Sequence, residues 1–322
     1  MFARLIAAAA ATALLATAAQ AAPTETSVEA QGPGGLLRGT MLTPEGATQA
    51  PVMLLIPGSG PTDRDGNNPL GVVGSPYRRL VEALAAEGVA TVRVDKRGQF
   101  GSAQATFDQT GPTVEAYAAD VRAWAAHIRD LTGRDCIWLG AHSEGVLMVL
   151  AAAQDLDGVC GLVLIAGGGR RLTDVIREQI TSNPANPPEV LEQTERALKA
   201  IEAGQRFDAS SFHPALQPLF GPHAQSFLIN VSRYDPADLV KGYRGPVLVV
   251  QGATDVQVLV KDAERLAGAR PGVELAVIEG MNHVLRIAPA DRAANIASYA
   301  DPAAPLAPGV AEAIAAFVKA PR

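Results

Sequence analysis

Aromatic residues are scarce in this chain of 322 residues, at 5% of the sequence, and only two cysteines occur. With so few Phe, Tyr and Trp, any core has to be packed from small aliphatic side chains. Two cysteines cannot build the disulfide framework of a small secreted scaffold. No basic run of five or more occurs, and the formal net charge is −6. That removes the positive face a nucleic-acid partner needs. The residues for several common chemistries are missing too. There is no H-E-x-x-H, no paired C-x-x-C and no G-x-x-x-x-G-K-[ST], so zinc-protease, zinc-ribbon and P-loop readings lack their ligands. No G-x-G-x-x-G opens a helix early in the chain, and Gly167-Gly168-Gly169 does not replace it. Beyond the N-terminal stretch, no apolar run is long enough for a membrane span.

Residues 1–21 read as a targeting segment and not as part of the fold. Arg4 supplies the positive end, Leu5 to Ala19 is apolar, and Ala19-Gln20-Ala21 has the small-x-small form of a cleavage site. The expectation is export to the periplasm or beyond, with Ala22 as the new N-terminus. Retention as an anchor is the alternative, which a short Ala-rich stretch disfavours. Export gives the cysteines interest, because Cys136 lies seven residues before Ser143 and Cys160 seven before Gly167. On neighbouring parallel strands the two thiols would sit at similar depth. An oxidising compartment permits a bridge there. Such bridges are sterically awkward, so two buried thiols are the alternative.

The remaining chain alternates strand and helix signals. Strands are expected at Glu25–Ala30, Leu36–Leu42, Pro51–Pro57, Val89–Asp95, Cys136–Ala141, Cys160–Ala166, Pro246–Gln251 and Val273–Ile278. Helical periodicity marks Ser75–Glu87, Thr113–Leu131, Gly145–Gln154, Leu259–Ala267 and Pro308–Val318. This order predicts an α/β fold, an eight-stranded and mostly parallel sheet with helices on both faces. The rhythm breaks between Gly168 and Gly245, where helices are expected near Leu172–Ile180, Pro188–Ala203 and Ala224–Arg233. Residues 168–245 therefore read as a helical lid inserted into a core of 22–167 and 246–322, over the edge where such sheets bind ligands.

The strand ending at Ala141 runs into Ala141-His142-Ser143-Glu144-Gly145 and then a helix. A turn of this kind, G-x-S-x-G in its usual form, lifts a serine above the sheet edge and needs small residues two before and two after it. Ala141 stands where Gly is usual. A serine hydroxyl needs a base, and the base an orienting acid. Of the five histidines, His127 falls inside a helix and His142 beside the serine, where hydrogen bonding beneath the turn is expected. His213 and His223 fall in the lid, as structural residues or substrate contacts. His283 follows the last strand directly and is the one placed as a catalytic base. Asp255, four residues after Gln251, lies in the next loop along that edge, whereas Asp235 and Asp238 precede the strand. Ser143, Asp255 and His283 thus come in the chain order of a known triad arrangement. The oxyanion donors are expected to be the N–H of Glu144 and that of Ser59 or Gly60, in the loop Gly58-Ser59-Gly60-Pro61.

These residues resemble the α/β-hydrolase superfamily over nearly the whole chain after residue 21. Gly58-Ser59-Gly60-Pro61-Thr62-Asp63-Arg64-Asp65-Gly66-Asn67 is similar to the GSGP-x-DRDGN loop of a bacterial serine esterase group, and His142-Ser143-Glu144-Gly145 fits the same group. Asp95-Lys96-Arg97-Gly98, followed by Gly101-Ser102, resembles a D-x-R-G-x-G-x-S turn of the superfamily with one extra residue. The resemblance implies a hydrolase of short or medium acyl esters that needs no cofactor or metal and takes a small-molecule substrate. Asp63, Arg64 and Asp65 are expected to brace the oxyanion loop by ion pairs, with Arg97 in the same network; binding of a charged substrate is the alternative. An amidase or aminopeptidase is the alternative within enzymes, for which Glu189, Glu192, Glu195 and Glu202 are available, although their helical spacing reads first as a solvated face. An inactive binding protein of the same fold is the alternative outside enzymes.

Overall fold

The computed structural model describes residues 22–47 and 49–321. Residues 1–21, where a targeting segment is expected, lie outside the described residues. Eight strands, β1 (Thr24–Gly32), β2 (Gly35–Thr43), β3 (Val52–Ile56), β4 (Ala90–Val94), β5 (Ile137–His142), β6 (Val159–Ile165), β7 (Val247–Gly252) and β8 (Val273–Ile278), form one sheet in the order β1-β2-β4-β3-β5-β6-β7-β8. β1 and β2 are antiparallel, and β2 meets β4 antiparallel. From β4 through β3 to β8 every pairing is parallel. All eight expected strands occur, within a residue or two of their expected ends at most boundaries.

Side-chain alternation sends the central strands' residues into two cores. Val52, Leu54 and Ile56 of β3 pack toward α2 (Val114–Thr132) and α3 (Gly145–Ala153), with Trp124 buried among them. Met53 and Leu55 face the other way, against α1 (Pro76–Ala86) and the C-terminal helix Val310–Lys319. The near-continuous apolar reading of β3 follows from this double coverage. Between β6 and β7 the chain forms α4 (Leu172–Thr181), α5 (Pro188–Glu202), α6 (Gln217–Phe220), α7 (Pro222–Val231) and α8 (Pro236–Gly242). These helices share a third core in which Phe212 and Phe220 pack on Leu147 and Met148 of α3. The sequence signalled three of the five. α6 and α8 are too short to show a period, and each opens on a Pro in its first turn. After β7 come α9 (Val260–Ala267), then α10 (Arg292–Ala297), a short helix without an apolar stripe that the sequence did not reveal, and α11, the C-terminal helix already placed.

Cys136 and Cys160 are bridged, with Cα atoms 5.2 Å apart. The register between β5 and β6 slips there: Ile137 pairs with Val159 but Trp138 with Gly161, so Cys160 is the extra residue of a bulge. A bulge re-aims one side chain relative to its ladder. That removes the steric objection to a bridge between adjacent parallel strands. Among the described residues, no helix is long and apolar enough to cross a membrane.

Candidate active site

Ser143 sits in the turn from β5 to α3 with φ of 54°, a left-handed conformation that non-glycine residues rarely adopt. The turn is held because the Ser143 N–H donates to the Ile165 carbonyl of β6 at 2.9 Å. Gly145 has to be glycine. A Cβ there would stand 2.6 Å from the Pro57 carbonyl oxygen. Ala141 is fully buried, so its methyl is accommodated.

His283, in the loop after β8, reaches the serine from the side. Its Nε2 lies 3.1 Å from Ser143 Oγ, and its Nδ1 lies 2.8 Å from Asp255 Oδ2. A carboxylate only accepts, so the proton sits on Nδ1 and Nε2 is left to accept from the serine hydroxyl. Asp255 follows β7 and is fully engaged: Oδ2 also accepts from Gln251 Nε2 at 3.1 Å, and Oδ1 accepts the N–H of Gln257 at 2.8 Å and of Val258 at 3.0 Å. Burial pushes its carboxyl up. Attraction to His283 and these hydrogen bonds outweigh burial and leave it below the usual carboxylate range. Asp235 is elsewhere, capping α8 through Ala237 N–H and paired with Arg265.

The loop after β3 passes over the serine. Gly58 comes so close that a Cβ on it would stand 3.1 Å from that of Ser143. Two contacts fix Gly58, whose N–H donates to the Tyr77 hydroxyl at 3.1 Å and whose carbonyl accepts from Lys96 Nζ at 2.6 Å. Thr62 ties down the far end, its hydroxyl donating to the Ser59 carbonyl at 2.9 Å and its N–H to the Gly60 carbonyl at 2.9 Å. Gly60 takes φ of 67°, which a glycine adopts without strain. Among the described residues, the N–H groups of Ser59, Gly60 and Glu144 donate no hydrogen bond, so the expected donors are available.

His142 is buried beneath the turn, as expected. Its Nδ1 lies 2.8 Å from the Tyr77 hydroxyl and its Nε2 lies 2.7 Å from the His283 carbonyl oxygen. The carbonyl can only accept, so Nε2 carries the proton and Nδ1 accepts from Tyr77. One chain of hydrogen bonds then joins Gly58 to Tyr77, His142 and the His283 loop. Tyr77 falls within the helix expected at Ser75–Glu87, whose periodicity gives no sign of this role. Burial, followed by repulsion from His283, pushes His142 down to about 3. His127 is half-buried against Trp124, His213 caps a short turn through Ala215 N–H, and His223 lines the cavity described below.

The bracing residues divide into separate pairs. Arg64 forms an ion pair with Asp95 and also donates to it from its backbone N–H at 3.0 Å. Asp65 accepts from Arg93 at 2.6 Å, and Asp63 folds back on the N–H groups of Asp65 and Asn67 at 2.9 and 2.8 Å. Arg97 does not join them, which corrects the single network expected. Its guanidinium turns to the opposite side, where it pairs with Asp120 of α2 and donates to the Thr106 carbonyl at 3.2 Å. It therefore ties the loop after β4 to α2 and not to the oxyanion loop.

A cavity of about 460 Å³ opens above Ser143, between the sheet edge and the inserted helices. Among the described residues, no group of three or more His, Cys, Asp or Glu side chains is placed to hold a metal ion.

The sequence profile of the alpha/beta hydrolase family matches residues 53–296. The chain belongs to the alpha/beta hydrolase family. This hydrolase is similar to the esterase EstD of Thermotoga maritima, with 27% identity over 263 residues, 77% of this chain and 58% of EstD. It thus spans little more than half the length of that relative. Among solved structures, Est1E of Butyrivibrio proteoclasticus, with ferulic acid bound, aligns at a TM-score of 0.56 and 18% identity over 91% of this chain and 96% of its own. The Pyrococcus furiosus esterase Pf2001 aligns at 0.54 and 16% over 81% and 83%. At such identities the likeness is one of fold.

Proposed function

We propose that this hydrolase cleaves carboxylic esters of short or medium acyl length through an acyl-enzyme on Ser143. The observation that carries the reading is the line from Ser143 Oγ to His283 at 3.1 Å and on to Asp255 at 2.8 Å, at the floor of a cavity of about 460 Å³. His283 takes the serine proton as Oγ attacks the carbonyl, then delivers it to the leaving alcohol. Asp255 holds the ring in the tautomer that this needs. The N–H groups of Glu144 and of Ser59 or Gly60 receive the oxyanion, whose charge develops only in the transition state. Water, activated by the same histidine, then releases the acid. The esterase relative EstD and the GSGP-x-DRDGN resemblance support an ester over an amide. The lid acids do not favour an aminopeptidase, since Glu195 and Glu202 both turn to Arg177 and neither lines the cavity. Residues 168–245 act as the lid of this site, and residues 1–21 direct the chain out of the cytoplasm.

The test is a panel of p-nitrophenyl esters of rising chain length beside aminoacyl anilides, with fluorophosphonate labelling of Ser143. Ester turnover far above anilide turnover is expected, together with a labelled serine. Faster anilide cleavage would refute the ester reading, and an unlabelled Ser143 would refute the mechanism.

A further inference from the structure

The cavity above Ser143 has two unlike walls. The inserted helices contribute a mostly apolar one, including Leu172, Val175, Ile176, Phe227 and Leu228, with Gln179 and His223 beside them. The opposite wall is polar: Glu144 directly after the serine, Lys96 and Gln99 from the loop after β4, and Tyr117 from α2. This polar wall is short of partners. Among the described residues, the Glu144 carboxylate accepts no hydrogen bond and the Tyr117 hydroxyl makes none. Gln99 Oε1 is buried without a partner. Lys96 donates to the Gly58 carbonyl at 2.6 Å and forms no ion pair with Glu144; burial pushes the Glu144 carboxyl up and the Lys96 amine down, and their mutual attraction only partly offsets it.

An alkyl group laid along this wall would bury its donors and acceptors unsatisfied, which is costly. The gap between the Lys96 amino group and the Glu144 carboxyl asks for a group that can both accept and donate. A hydroxyl does both with one oxygen. Ser143, Glu144 and Lys96 all line the one cavity, so an ester seated at the serine can place such an oxygen in that gap.

We propose that the substrate is a hydroxylated ester whose hydroxyl is held between Glu144 and Lys96, with its carbon skeleton against the apolar wall. The proposal rests on the ester-hydrolase reading above. A site built to hydrogen-bond a hydroxyl discriminates strongly against an analogue that lacks it, whereas a purely apolar pocket gains nothing from one.

Matched esters in which a hydroxyl replaces a methyl test this on the full chain. The acyl arm compares methyl 3-hydroxybutanoate with methyl 3-methylbutanoate, and the alcohol arm compares 2-hydroxyethyl butanoate with propyl butanoate. The expected result is a kcat/KM preference of about tenfold or more for the hydroxylated ester in one arm, which tells acyl side from alcohol side. Lys96→Met and Glu144→Gln should each reduce that preference at least about threefold. The ratio is read within each protein, so a general loss of activity cancels, and the wild-type ratio stands even where a variant misfolds. Ratios near one in both arms, with plain esters turned over and Ser143 labelled, would overturn the proposal and leave the ester reading intact. A preference that either folded variant retains in full would also overturn it. No turnover of any ester and an unlabelled Ser143 would remove the ester reading and this proposal together.

Discussion

Replacing His142 with Asn should flatten the acid limb of the protein's stability profile. Both ring nitrogens are committed, Nδ1 as an acceptor from Tyr77 at 2.8 Å and Nε2–H as a donor to the His283 carbonyl at 2.7 Å. A second proton on the ring would have to displace the Tyr77 hydrogen from Nδ1. Burial and the neighbouring His283 accordingly push the pKa down to about 3, with Asp255 opposing them. An unfolded histidine titrates near 6.5. Between these values the unfolded chain binds a proton that the native one does not, so native stability falls as pH falls. The slope is at most about 1.4 kcal/mol per pH unit, which gives roughly 2 kcal/mol between pH 6.5 and 4.5. Asn has no titration in this range, and its Oδ1 can still accept from Tyr77. At pH 8 the variant should be less stable by about 1–3 kcal/mol, because the buried His283 carbonyl loses its donor. Urea denaturation of both proteins from pH 4.5 to 8 measures this. Titrating groups remote from His142 contribute alike to both, so the difference reports His142 together with its coupling to His283 and Asp255. The two stability curves should converge on the acid side. Parallel curves would refute the neutral, doubly hydrogen-bonded ring.

Ser143→Ala should fold normally and lose on the order of 10⁴–10⁶ in kcat, whereas retention of more than about a tenth of wild-type kcat would end its role as nucleophile. Asp255→Asn should cost on the order of 10⁴ in kcat by offering His283 the wrong tautomer, while Asp235→Asn, which disturbs only the α8 cap and an exposed pair with Arg265, should stay within about tenfold. A more damaging Asp235→Asn would mean that the wrong acid has been assigned. The Cys136–Cys160 bridge, with a sequence separation of 24, should stabilise the protein by about 3 kcal/mol in the chain-entropy model. Protein made in an oxidising compartment should show no thiols to Ellman's reagent in denaturant and gain about 2 Da on reduction; two titratable thiols would refute the bridge in solution.

How far the sequence exposes such a site depends on the range of the interactions that build it. The Ser143 turn is legible because its requirements are local: an apolar strand, small residues at 141 and 145, and a helix of nine residues that starts at Gly145. The same holds for Asp255 and His283, since a loop that follows a parallel strand must emerge at one edge of the sheet, whatever else the chain does. Arg97 shows where this logic stops. Its motif suggests a place in the network that braces the oxyanion loop, but the partner its side chain takes, Asp120, lies on a helix, 23 residues further on. The bridge was undecided for a related reason, because facing thiols on adjacent parallel strands require a register slip, and no sequence signal marks the bulge at Cys160. Tyr77 is the clearest case. Its spacing with Leu80, Val81 and Leu84 describes a buried helix face completely, so nothing local calls for its hydroxyl. The partner that explains it, His142, lies 65 residues away, and the second partner, Gly58, belongs to a different loop. A buried tyrosine on an apolar face therefore carries a long-range question that the apolar pattern hides: its hydroxyl must find a donor or acceptor somewhere. Here it finds both, and they connect the loop that would receive the oxyanion to the loop that holds the base.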